Sequence, residues 1–190
     1  MNKFLIVGLG NIGDEYANTR HNIGFDILDY FTAKHNVAFS TDRLASKAIV
    51  SIKGRKIICI KPTTYMNLSG RAVKYWMDKE NIEVNNILVL VDELAVPINK
   101  LKMKPAGSDG GHNGLKSIQE SIATTHYPRL RFGIGNDFPK GMQVEYVLGK
   151  WHKEQIDMVS KKIERSVQAI EDFVLTGLDK AMESVNKFEL

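Results

Sequence analysis

The chain has 190 residues, 43% of them hydrophobic and 25% charged, a balance that excludes disorder as the main state. A chain of this length buries roughly 70% of the surface its unfolded form exposes, enough for one core and one domain. No run reaches the roughly 18 to 20 apolar residues of a membrane span. The net charge of +4 is unevenly spread: residues 1–150 hold 20 basic and 14 acidic side chains, residues 151–190 hold 6 and 8, so an anionic partner is expected on the larger part.

Lys3 to Leu9 reads as a buried strand, entered directly from Met1-Asn2 without a signal-peptide pattern, so a cytoplasmic protein is expected. Three glycines between Gly8 and Gly13 break that strand. Ile23, Ile27, Leu28 and Phe31 recur at helical spacing, which predicts a helix over Thr19–Lys34 with His21 in its first turns. Ala48–Ile52 and Lys56–Lys61, joined by Lys53-Gly54-Arg55, predict a hairpin, and Cys59 within it reads as core. A loop from Pro62 to Gly70 feeds a helix ending near Glu80, with Val73, Trp76 and Met77 on one face. Asn86–Val91 is an apolar strand that delivers Asp92-Glu93 at its end. Leu101–Lys104 and Arg129–Ile134 are further strands, separated by a loop with four glycines (Pro105–Gly114) and a helix starting near Gly114. A helical tail runs from Lys153 to Thr176 and again from Leu178 to Lys187. Interleaved strands and helices without a repeat predict an α/β fold: a single domain, 1–190, built on a twisted mixed sheet with helices on both faces. In such sheets ligands bind beyond the carboxyl ends of strands, which is where Asn11, Asp92 and the glycine-rich loop fall.

Gly8-Leu9-Gly10-Asn11-Ile12-Gly13 matches the dinucleotide fingerprint G-x-G-x-x-G. The match stops there, because Asp14 and Glu15 would repel a pyrophosphate and the acids at the required distance, Asp26 and Asp29, fall in a helical pattern. No serine has the surround of a nucleophile elbow, and the five histidines form no metal-ligand spacing. Metal catalysis is therefore not expected, and a dinucleotide-dependent oxidoreductase stays open as an alternative at this point. What remains is neutral amides with histidines: Asn11, Arg20-His21-Asn22, Asn67 and His112-Asn113. Amides donate and accept without charge, as a neutral acyl substrate requires, and one histidine oriented by Asp92 supplies the parts of a water-activating hydrolase.

Seven segments together resemble the bacterial-type peptidyl-tRNA hydrolases: Leu5–Gly13, Tyr16–Gly24, Lys61–Val73, Val91–Pro97, Gly110–Lys116, Arg129–Gly135 and Val147–Gly149. They occur in the family's order along nearly the whole chain. The resemblance implies hydrolysis of the ester between peptide and tRNA, with His21 as general base, Asp92 as its orienting carboxylate and Asn11 as the amide favouring N-blocked peptidyl chains. It implies substrate contacts at Asn67 and Asn113, and a cleft lined by Tyr16, Tyr65 and Met66. It implies no bound cofactor, and a monomer is expected, with peptidyl-tRNA as its partner. Lys102 with Lys104, Arg129 with Arg131, and Lys116 near a helix start are the basic residues expected to meet tRNA phosphates. The sequence departs from the family's usual proline at Ile12 and usual aspartate at Ala95.

Overall fold

Residues 2–190 are described in a computed structural model. The chain runs through β1 (Lys3–Gly8), α1 (Ile23–Lys34), β2 (Ser40–Asp42), β3 (Ala45–Ile52), β4 (Arg55–Pro62), α2 (Ser69–Glu80) and β5 (Ile87–Glu93). It continues through β6 (Leu101–Lys104), α3 (Asn113–Ile122), β7 (Arg129–Gly133), α4 (Gln143–Val147), α5 (Ile156–Thr176) and α6 (Leu178–Val185). The strands form one seven-stranded sheet in the order β2-β3-β4-β1-β5-β7-β6. β4, β1, β5 and β7 are mutually parallel, and β2, β3 and β6 add antiparallel edges, so the sheet is mixed as expected.

Strand alternation sorts the core into two layers. Phe4 and Ile6 of β1 face α1 and α5, where they join Ile27, Phe31, Ile170 and Phe173. Leu5 and Val7 face α2 and α3, where they join Val73, Trp76, Leu115 and Ile118. Because β1 and β5 are covered on both faces, they read as unbroken apolar runs rather than alternating ones. Helix α1 sits so close over β1 that a Cβ on Gly8 would meet the carbonyl of Gly24, and one on Gly24 would meet the amide of Leu9. Two glycines of the apparent dinucleotide fingerprint are thereby accounted for by packing: Gly8 on Gly24, and Gly10 under the ring of Phe25. The third, Gly13, leads into a 3-10 turn (Asp14–Tyr16) and not into the helix a pyrophosphate would need.

Boundaries shift where local geometry overrides periodicity. The expected helix over Thr19–Lys34 opens as a 3-10 turn, Arg20–Asn22, before α1 begins at Ile23. The hairpin starts at Ala45 instead of Ala48 and acquires the extra edge strand β2. α4 was not expected from the sequence: five residues are too few for a periodic signal. The C-terminal helices are part of the main core, with Val167, Ile170 and Val185 fully or almost fully buried in the same layer as Phe31. Within α5, Lys162 is buried without a carboxylate; its Nζ donates to the carbonyls of Ile98 and Gly133, each at 2.6 Å. Burial pushes its pKa down to about 7.

Candidate active site

The carboxyl ends of β1 and β5 and the segment after β4 open into a cavity of about 330 Å³, which Asn11, His21, Tyr65, Met66, Asn67, Asp92, His112 and Asn113 help to line. Seven of the eight residues expected from the sequence in this cleft do converge. Tyr16 does not line the cavity; it closes the turn after Gly13, where its carbonyl accepts a 2.7 Å hydrogen bond from the Thr19 hydroxyl.

Asp92 projects from the carboxyl end of strand β5 and is 5% exposed. Its Oδ2 lies 2.8 Å from His21 Nδ1 and its Oδ1 lies 2.9 Å from His112 Nε2. The protons can be assigned from the neighbouring bonds. His112 Nδ1 accepts from the backbone N–H of Gly114 at 3.0 Å, capping α3, so its proton sits on Nε2 and is donated to Asp92. His21 then donates Nδ1–H to the second carboxylate oxygen, which leaves the Nε2 lone pair of His21 free to act as a base.

The electrostatics follow from this arrangement. Burial alone would raise the Asp92 pKa, but the charges and hydrogen bonds of His112 and His21 outweigh it and hold the carboxyl well below its usual range. For His21, burial pulls downward, and the charge and hydrogen bond of Asp92 more than offset it, so the imidazole ends above its ordinary 6.5. His21, Asp92 and His112 are also the one group of potential metal ligands among the described residues, with ligand atoms within 4.8 Å of one another. Those atoms are hydrogen-bond partners of one another, each Asp92 oxygen facing one imidazole nitrogen.

Asn11 is equally constrained. Its Oδ1 accepts the Met66 backbone N–H at 2.9 Å, so the amide is oriented with its NH2 group as the free end on the cavity wall. Its main chain is held by the Asn22 side chain. Gln143, Val144, Val147 and Leu148 of the α4 segment also line the cavity, and of this segment the sequence reading had singled out only Val147–Gly149. Arg20 ties that segment to the His21 turn: it is 3% exposed, stacks 4.2 Å over the Tyr146 ring and donates to the Tyr146 carbonyl at 3.0 Å.

The basic residues divide. Lys102 and Lys116 are exposed and Lys104 is half-buried. The expectation for Arg129 is corrected: it is 0% exposed, and its guanidinium donates to the carbonyls of Tyr127, Thr125 and Ser108. Arg131 pairs with Glu93 at 2.8 Å and also reaches the Ser108 carbonyl. Both arginines brace the glycine-rich loop that carries His112, a duty hidden from the sequence because alternation predicts a shared face and not which face is covered. His112 and Asn22 carry no role in the sequence reading, although His112 directly precedes the helix expected near Gly114 and Asn22 directly follows His21.

Fold and site together define a mixed α/β protein with a polar cleft at the carboxyl ends of its central strands, where two histidines share one buried carboxylate. The model of the peptidyl-tRNA hydrolase family matches residues 5–190, and the chain belongs to that family. It is 50% identical over 185 residues to a peptidyl-tRNA hydrolase of Phocaeicola vulgatus, covering 97% of this chain and 99% of the relative. It is 39% identical over 189 residues to one from Clostridium botulinum, covering 98% and 97% of the two chains. The crystal structure of the Acinetobacter baumannii peptidyl-tRNA hydrolase superposes with a TM-score of 0.93 at 33% identity, covering 99% of this chain and 96% of that one.

Proposed function

We infer that this protein hydrolyses the ester joining a peptide to the terminal ribose of tRNA, with His21 activating the attacking water. The observation that carries the mechanism is the His21–Asp92 hydrogen bond of 2.8 Å in a cavity lined by three asparagines. His21 Nε2 takes a proton from water as the oxygen attacks the ester carbonyl; the tetrahedral intermediate then collapses, and the protonated imidazole returns the proton to the departing ribose oxygen. Peptide acid and free tRNA are the products. Asp92 holds the ring in the productive tautomer and stabilises the imidazolium, and the base supplies about 10²- to 10⁴-fold in rate. Asn67 and Asn113, both exposed at the cavity, serve as donors to the substrate carbonyl as its oxygen gains charge.

The free NH2 end of Asn11 gives a physical basis for choosing blocked substrates. It offers donors to an amide carbonyl of the peptide, whereas the ammonium of an unblocked aminoacyl ester brings only donors of its own. Lys102, Lys104 and Lys116 hold tRNA phosphates away from the ester, without reading sequence. No helix among the described residues is long and apolar enough to cross a membrane. We assign the activity to a monomer in the cytoplasm, acting without a metal or other cofactor. The test is peptide release from an N-blocked aminoacyl-tRNA by wild type and His21→Ala in EDTA, with unblocked aminoacyl-tRNA as control. Turnover should be selective for the blocked substrate and fall by several orders of magnitude in the variant, which should still bind tRNA. A His21→Ala protein with wild-type turnover would remove His21 from the mechanism.

A further inference from the structure

The main chain of Asn11 is held by one side chain. Its backbone N–H donates to Asn22 Oδ1 at 2.9 Å, and its carbonyl accepts from Asn22 Nδ2 at 2.8 Å. Asn22 is 3% exposed and directly follows His21 in the 3-10 turn that opens α1. The Asn11 side chain accepts the Met66 N–H and Gly10 packs under the Phe25 ring, so the Asn22 clasp is what holds the Asn11 main chain itself.

Asn22 closes the 3-10 turn Arg20–Asn22 that runs into α1, and its side chain makes no bond to the helix start; both of its hydrogen bonds reach across to the main chain of residue 11. The clasp also joins two functions rigidly, because the base at position 21 and the clasp at position 22 are consecutive residues of one turn, and α1 is seated on β1 through Gly8 and Gly24.

We propose that Asn22 is a positioning residue for substrate selectivity, fixing the distance between the Asn11 amide and the His21 base so that the enzyme discriminates blocked from unblocked aminoacyl esters. The inference rests on the reading of Asn11 as the selecting amide. Asn22 does not touch the His21–Asp92 bond, so its loss should change which substrate is accepted and leave the ionisation of the base unchanged.

The experiment compares kcat/KM for N-acetylaminoacyl-tRNA and for the same aminoacyl-tRNA unblocked, across pH, in wild type, Asn22→Ala, Asn22→Asp and Asn11→Ala. Both substrates are assayed on one preparation, so their ratio is independent of the fraction folded. The ratio should drop by about 10- to 100-fold in Asn22→Ala, the scale of a misplacement near 1 Å. It should drop less in Asn22→Asp, which keeps the acceptor for the Asn11 N–H, and the acid limb of the pH profile should stay where it is in wild type. A ratio within twofold of wild type in both Asn22 variants, while Asn11→Ala loses selectivity, overturns the proposal and leaves the reading of Asn11 standing. Retained selectivity in Asn11→Ala removes that reading and the proposal with it. A displaced acid limb in Asn22→Ala also overturns the proposal, by showing that Asn22 acts through the base.

Discussion

Replacing Asp92 by asparagine changes one oxygen for an NH2 group and leaves shape almost untouched, yet the site cannot absorb it. Asp92 accepts from His21 at 2.8 Å and from His112 at 2.9 Å. Asparagine has one acceptor for these two donors, so its NH2 must face one imidazole N–H. His112 cannot yield without losing the Gly114 N–H that it accepts at 3.0 Å. The conflict therefore falls on His21, which must shift its proton to Nε2 and lose the lone pair that serves as base. In a Ser-His-Asp site the same exchange lowers turnover by about 10⁴-fold through the wrong tautomer. We expect a loss of about 10²- to 10⁴-fold in kcat, equal to about 3 to 5 kcal/mol of barrier. The folding penalty for one poorly paired buried donor is about 1 to 3 kcal/mol, below the stability of an ordinary domain, so the variant stays folded. The wild-type rate should rise with pH as His21 loses its proton above 6.5, because the net effect of burial and Asp92 is to raise its pKa. Removal of the carboxylate charge should move that limb to lower pH. Single-turnover peptide release from pH 5 to 9 measures both quantities. A loss below about tenfold, or an unmoved acid limb, would refute the assigned pairing.

Two further predictions test other parts of the molecule. Charge reversal at both Lys102 and Lys104 should raise KM at low salt and flatten its dependence on salt, with kcat little changed; unchanged KM and slope would mean that these lysines are only solvated. Asp26 is pushed up to about 7 by burial and by Asp29, against the opposing charge of Lys61. The folded state thus keeps a proton that the unfolded chain releases from about 3.8 upward. Stability should therefore fall as pH rises through the window from about 4 to 7. Asp26→Asn removes that fall, so its Tm advantage over wild type should grow between pH 4 and pH 8, by about 1 to 2 kcal/mol or about 2 to 8 °C after allowance for partial exposure. Parallel Tm curves for the two proteins would contradict this account.

The sequence by itself determined the class of the fold and most of the cleft. Buried parallel strands carry unbroken apolar runs, glycines mark where backbone must approach backbone, and functional polar residues gather just after strands; each is a local signal, legible in Phe4–Val7, in Gly8–Gly13 and in Asp92. The resemblance then attached roles to His21, Asp92 and Asn11. The tertiary structure decided which partners those residues meet. His21 and His112 stand 71 and 20 residues from the carboxylate they share, and the Arg129 that alternation placed beside Arg131 is wholly covered by the loop it braces. Asn22 is one amide among several in the sequence, and only the fold shows that both of its hydrogen bonds go to the main chain of Asn11. Local periodicity encodes which face is apolar and where an element ends. Hydrogen bonds between distant side chains depend on the packing of whole elements, such as α1 against β1 and the glycine-rich loop against β7, and no short stretch of sequence contains that information.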